Sequence, residues 1–305
     1  MKFLSFVRRN AAEQRLGVEL DENHVFDLGA FRASLSPSDA AGIPASMEEL
    51  VASGDDVVHT IRAATNDATN KQYVIATTDI KYLPPLVPRK NVFCVGRNYR
   101  EHIIEGNIAN GRPADSFPEA IEFFTKPSTA IVGHDDPVQR HSTLTNSLDF
   151  EVELAIVIGK RGRDIPEQQA MDFVFGFTVV NDITARDLQK KHGQWFKGKG
   201  LDTSCPIGPV IVHKSAIANP NALHLGLEVN GEERQSANTD EMIFSVQAVI
   251  AQLSAGMTLE PGDIISTGTP KGVGFAAKPP RCLNIGDVVT AHVAGIGTLR
   301  NTIVA

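Results

Sequence analysis

Aromatic side chains are scarce in this chain, at 6% of 305 residues with a single tryptophan. Basic charge is scarce as well: 29 Lys and Arg face 36 Asp and Glu, for a formal net charge of -7. A net acidic surface draws neither nucleic acid nor an anionic membrane without a clustered basic patch. The one local candidate, Lys190 to Lys199, reads better as part of a site. Cysteine is limited to Cys94, Cys205 and Cys282, whose wide, irregular spacing makes neither a disulfide framework nor a zinc signature. Each is expected to be a small apolar core residue in a reducing compartment. No apolar run approaches the roughly 18 residues of a membrane span. Met1 to Arg9 is too short, and too soon broken by Arg8 and Arg9, for a signal peptide. The cytoplasm is the expected location.

Glycine and proline are plentiful, at 25 and 17 residues, which suits a turn-rich, β-rich α+β fold better than a helical bundle. Short strands are expected over residues 2–7, 15–20 and 24–28, and short helices over 46–52, capped by Ser46 with Glu49 three residues on, and 55–65. Leu83-Pro-Pro-Leu-Val-Pro88 is a stiff connector that divides the chain into a small N-terminal α+β domain, 1–85, and a larger domain, 86–305. In the larger part, strands are expected over 91–95, 122–125, 151–158, 173–181, 208–212, 223–229, 263–266, 288–293 and 298–304. A helix is expected over 244–253, and another begins in 166–172. Asn230-Gly231 signals a hairpin. Strands do not alternate regularly with helices, which favours a β-rich α+β architecture over a doubly wound sheet.

The chemistry-bearing residues fall in separate segments. Glu151 and Glu153 sit two apart in a strand pattern, which points both to one face. Two carboxylates forced together repel unless something neutralises them, and a hard, oxygen-seeking cation does so. On a solvated strand face the same pair would mean nothing. Asp182 closes the apolar run that begins at Phe173 and could cap a helix instead, as could Thr184. Lys199 lies between Gly198 and Gly200, where an ammonium can approach an anion closely, unless the segment is simply a solvated loop. The glycine-rich stretch Ser266 to Gly274 lacks P-loop spacing, yet its amides and Thr269 could hold a carboxylate, or merely turn the chain. His102 and Glu105 stand three apart, one helical turn, as a carboxylate and the imidazole it orients would, although surface His/Glu pairs are common.

These segments, in order, resemble the fumarylacetoacetate hydrolase family: Gly96-Arg-Asn-Tyr-x-x-His102-x-x-Glu105, Lys126-Pro-Ser-Thr129, Glu151-x-Glu153, Asp182-x-x-Ala-Arg-Asp187, Lys199-Gly-x-Asp-Thr-Ser-Cys-Pro206 and Thr267-Gly-Thr-Pro-x-Gly-Val-Gly274. The likeness is to the acylpyruvase and oxaloacetate decarboxylase branch. It implies a mixed β-roll catalytic domain, usually in a homodimer, with Glu151, Glu153 and Asp182 as ligands of Mg²⁺ or Mn²⁺. It implies that His102 and Glu105 activate water on a mobile lid, that Lys199 and Gln189 stabilise developing negative charge, and that Thr269 and Gly268 hold the substrate carboxylate. Arg97 and Lys126 are further substrate contacts in this scheme. The segment Gly106 to Pro118 is longer than the lid of the shortest members, so substrate preference does not transfer from them.

The expected reaction is hydrolytic cleavage of a carbon–carbon bond in a β-diketo acid such as an acylpyruvate. A decarboxylase or a 2-hydroxy-dienoate isomerase or hydratase would use the same metal chelate. A metal- and keto-acid-binding protein without activity is the alternative from another class.

Overall fold

Every residue of the strand Val152–Ile158 is buried, and the alternation of its side chains explains why. Val152, Leu154, Ile156 and Ile158 enter one hydrophobic cluster, while Ala155 and Val157 enter another. A strand buried on both faces reads as a near-continuous apolar run, broken here only by Glu153. The computed structural model describes residues 1–305 and places this strand centrally in a mixed sheet. Its order runs Val74–Ala76, His24–Asp27, Gln14–Glu19, Lys2–Arg8, Cys205–His213, Val174–Asn181, Val152–Ile158, Ile264–Ser266, Val92–Gly96 and Glu122–Lys126. A second, five-stranded sheet contains His224–Val229, Glu232–Asn238, Val288–Val293 and Gly297–Val304. The result is the β-rich α+β class that the sequence indicates.

The larger cluster joins the two sheets through Leu154, Ile156, Phe177 and Val179 on one side and Leu225, Leu227, Val289 and Leu299 on the other. The smaller one joins the N-terminal residues Phe3, Leu28, Leu50 and Ile61 to Ala155, Val157, Val180 and Ile211. Thus the first strand pairs Lys2 with Val212 and Phe3 with Ile211. The connector is stitched to that strand as well, because Ser5 Oγ donates to Pro85 O at 2.8 Å. The proposed N-terminal unit, 1–85, shares its sheet with the proposed catalytic unit, 86–305.

Local signals act as expected at several points. Ser46 accepts from Glu49 N at the start of Met47–Ala52, and Asn230 and Gly231, both at positive φ, close the hairpin. Two local expectations change. Residues Glu167–Phe173 form a 3₁₀ helix instead of an α-helix. Thr184 does not cap the helix Arg186–Lys191; it lies in the short strand Thr184–Ala185, with its hydroxyl bonded to Asp182 O.

Candidate active site

Glu151 and Glu153 have the strand parity of Ala155 and Val157, and Asp182 has that of Val180, so all three acids belong to the face of the smaller cluster. At this end of the sheet the apolar lining gives way to carboxylates. Ligand oxygens of Glu151, Glu153 and Asp182 lie within 4.8 Å of one another, and all three residues are buried. Asp182 does not cap a helix. Its Oδ1 accepts from Lys126 Nζ at 2.6 Å and its Oδ2 from Lys199 Nζ at 2.5 Å. The Glu151 Oε1 accepts from Arg186 at 2.5 Å and Oε2 from Lys199 at 2.6 Å. Glu153 Oε2 accepts from Ser266 Oγ at 2.5 Å and from Gly268 N at 2.8 Å, but no cation is bonded to this carboxylate.

The pKa shifts follow from that imbalance. Burial alone would push Glu151 up, yet the nearby charges of Arg186 and Lys199 outweigh it and hold the group well below the usual carboxylate range. Burial, then repulsion from Asp182 and Glu151, pushes Glu153 well above that range. For Lys199 burial works against the charged form, but Asp182 and Glu151 prevail and raise it. Glu151, Asp182 and Asp149 are matched one for one by Lys126, Lys199 and Arg186, and Glu153 is the carboxyl left without a counter-charge. A divalent cation fits this donor set of three converging hard oxygens, with Lys199 Nζ standing where positive charge is wanted. A divalent ion would supply the counter-charge that Glu153 lacks.

The cavity over these acids has a volume of about 490 Å³ and is lined by Glu151, Glu153, Lys199, His102, Gln189 and Thr269, among others. His102 and Glu105 lie on the helix Arg100–Ala109, with His102 Nδ1 at 2.9 Å from Glu105 Oε1. A carboxylate only accepts, so Nδ1 carries the proton and Nε2 of the neutral ring is the free base. Both Glu105 oxygens accept from Gly272 N at 3.0 Å, which docks the helix on the glycine-rich turn.

That turn binds carboxylates, but they are the protein's own. Gly268 N is directed at Glu153, Gly272 N at Glu105, and Gly274 N and Phe275 N at Asp149. Gly268 is therefore a support for an acid where a substrate contact was expected. It sits at φ +96, and an added Cβ would fall 2.9 Å from Asn98 Cβ. Thr269 does line the cavity, its hydroxyl donating to Val152 O and accepting from Gln235. Lys126 is fully buried beneath Asp182 and does not line the cavity. Arg97 lines it, with Nη2 donating to Ser116 O at 2.5 Å.

Several site residues escaped the sequence reading. Arg186 bridges Glu151 and Asp149 and lies 4.5 Å over the Phe275 ring. Its only trace in the sequence is the Ala-Arg-Asp stretch after Asp182. Asp149, two residues before Glu151, and Gln235, which accepts from Val152 N, had no local signal at all. Trp195 forms a wall of the cavity against Gly96, where an added Cβ would collide with the indole. Cys94 and Cys205 are buried, and burial pushes both thiols up, Cys205 to about 12, so neither is a nucleophile.

The profile described as fumarylacetoacetate (FAA) hydrolase C-terminal matches residues 91–304, which carry the acidic triad and the sheet around it. The chain belongs to the fumarylacetoacetate hydrolase family. It is 45% identical over 294 residues, 94% of this chain and 95% of the other, to the oxaloacetate tautomerase YisK of Bacillus subtilis. Its structure superposes with a TM-score of 0.82 on a fumarylacetoacetate hydrolase of Exiguobacterium antarcticum, 39% identical, covering 100% of this chain and 99% of that one. It also resembles, at 29% identity and a TM-score of 0.75 over 100% and 99% of the two chains, the maleylpyruvate hydrolase of Sphingobium sp. SYK-6 in complex with manganese (II) ion and pyruvate. No helix is long and apolar enough to cross a membrane.

Proposed function

We propose that this protein is a divalent-metal-dependent enzyme acting on a 2-oxo acid, and that its reaction is the keto–enol interconversion of oxaloacetate. The observation that carries the reading is the buried triad Glu151, Glu153 and Asp182 beside a His102–Glu105 pair. The Bacillus relative, an oxaloacetate tautomerase, favours tautomerisation among the reactions such a site can host. Glu151, Glu153 and Asp182 would hold Mg²⁺ or Mn²⁺, which supplies a Lewis acid at the 2-oxo carbonyl. His102 Nε2 removes a proton from C3, and Glu105 keeps the ring oriented and its Nδ1 protonated. The electron pair of that C–H bond becomes the C2–C3 double bond, and the proton is delivered to the carbonyl oxygen. Lys199 and Gln189 face the oxygen on which negative charge grows, while Thr269 and Arg97 complete the wall around the substrate. The acting species in this reading is a homodimer, as the family resemblance implies, in the cytoplasm.

Carbon–carbon hydrolysis of an acylpyruvate is the second reading, favoured by a cavity far larger than oxaloacetate and by an imidazole–carboxylate pair suited to activating water. The two are separated by following the ultraviolet absorbance of enol oxaloacetate and of an acylpyruvate, with Mg²⁺ or Mn²⁺ and with EDTA. Tautomerisation is expected to be fast, abolished by EDTA and restored by metal, and slowed at least about a hundredfold in His102→Ala. Absence of metal-dependent acceleration in the parent protein would sink the proposal; turnover of the acylpyruvate alone would select hydrolysis.

A further inference from the structure

One buried amide ties the acidic strand to the glycine-rich turn from a distant part of the chain. Gln235 lies on Glu232–Asn238, the outermost strand of the second sheet, and is 1% exposed. Leu227 pairs with Gln235 but Glu228 pairs with Glu233, so Arg234 is an extra residue that bulges the strand. A bulge re-aims the side chain beside it, and here Gln235 reaches across to the first sheet. Its Oε1 accepts from Val152 N at 2.9 Å, while its Nε2 donates to Pro270 O at 2.8 Å and to Thr269 Oγ1 at 2.9 Å. Turned over, the amide would set N–H against N–H and oxygen against oxygen, so its orientation is fixed. Val152 stands between Glu151 and Glu153, and Thr269 follows Gly268, whose N holds Glu153.

That orientation decides what Thr269 can do. Its Oγ1 accepts from Gln235 Nε2 and lies 3.0 Å from Val152 O, which can only accept, so the single hydroxyl proton goes to Val152. Val152 is fully buried. Turning the proton toward a ligand would strand its carbonyl, a cost as large as the bond gained. What Thr269 offers the cavity that it lines is therefore a lone pair. A lone pair repels a carboxylate and takes an O–H. The carboxylate-holding role that the family resemblance implies for Thr269 would need the proton that Val152 already has.

We propose that Gln235 is a positioning residue, which holds the Thr269 hydroxyl as an acceptor toward the cavity, and that Thr269 takes the C2 hydroxyl of the enol form of a 2-oxo acid. The inference rests on the keto-acid reading and adds to it a device that tells enol from keto.

The test compares two small chelating acids, glycolate, whose C2 hydroxyl is a donor, and oxalate, which has none. Each is titrated into the magnesium-loaded protein, and fluorescence of the one tryptophan, Trp195 on the cavity wall, reports binding. Thr269→Val should weaken glycolate about fivefold, the worth of one hydrogen bond, and leave oxalate little changed. In Gln235→Met the preference for glycolate over oxalate should drop by about the same factor, and adding Thr269→Val should lower it no further. A merely structural role for Gln235 would weaken both acids alike and leave the preference in place, which overturns the proposal, as does a Thr269→Val loss repeated in full on the Gln235→Met background. Equal losses of both acids in Thr269→Val, or a greater loss of oxalate, overturn it whether or not Gln235→Met folds. If neither acid binds the metal-loaded parent, the keto-acid reading itself fails and the role of Gln235 goes with it.

Discussion

At the floor of the cavity four carboxylates and three cations are packed out of water, whereas at its mouth Arg112 and Lys190 stand in solvent without acidic partners. The floor charges are costly to desolvate, by several kcal/mol per ion, and persist only because each is bonded to strands and turns that the core already fixes. The mouth charges cost little to keep. Under the proposed function, metal and chemistry belong to the floor, and the contrast with the mouth can be broken at either end.

The largest effect is expected from Lys126→Met. Removing Lys126 leaves Asp182 Oδ1 buried without its cation while Lys199 still holds Oδ2, which should cost about 3–5 kcal/mol of unfolding free energy in a denaturant titration. A loss below about 1 kcal/mol would mean the floor is not charge-coupled. Glu153→Gln should act the other way in metal-free protein. Burial, then Asp182 and Glu151, raise this carboxyl, so the folded state keeps a proton that the unfolded chain releases. Stability from this group therefore falls as pH rises above the ordinary glutamate range, and Gln removes the slope. The thermal midpoint of the metal-free variant should exceed the parent's by a few degrees near neutral pH, while calorimetry with Mn²⁺ shows binding lost. A midpoint below the parent's would show that Glu153 is not the acid left without a counter-charge. Smallest is Asn107→Ala, which frees the loop at Ser116 that also holds Arg97: KM should rise about fivefold, the worth of a hydrogen bond or so, with kcat little changed. An equal loss in kcat would place that loop in the chemistry and erase the division between floor and mouth.

How much of this was readable in advance follows from the range of each interaction. Glu151 and Glu153 were legible because a two-residue period fixes their common face, and His102 and Glu105 because three residues make a helical turn. Asp182 was ambiguous until the neighbouring strand brought it beside them. The glycine-rich turn was recognisable as a carboxylate binder, but whose carboxylates it holds depends on contacts more than 100 residues apart, such as Gly268 with Glu153 at a separation of 115. Lys126 illustrates the same limit, since its place in the family-like pattern suggested a substrate contact while the fold turned it inward to Asp182. The pairing of residues 2 and 3 with 212 and 211 has no local signature, so the proline-rich connector marks a boundary in the sequence without revealing that the sheet continues across it.

That shared pairing bears on how the chain can be trimmed. The strand Cys205–His213 is buried along its whole length, with Val174–Asn181 on one side and the first strand on the other. Cutting away the first 85 residues would lay bare unpaired amides and carbonyls near Ile211 and Val212 and uncover the apolar face beneath. An open apolar edge of that kind recruits strands from neighbouring molecules, so the shortened protein should come out of solution before its catalysis could be assayed.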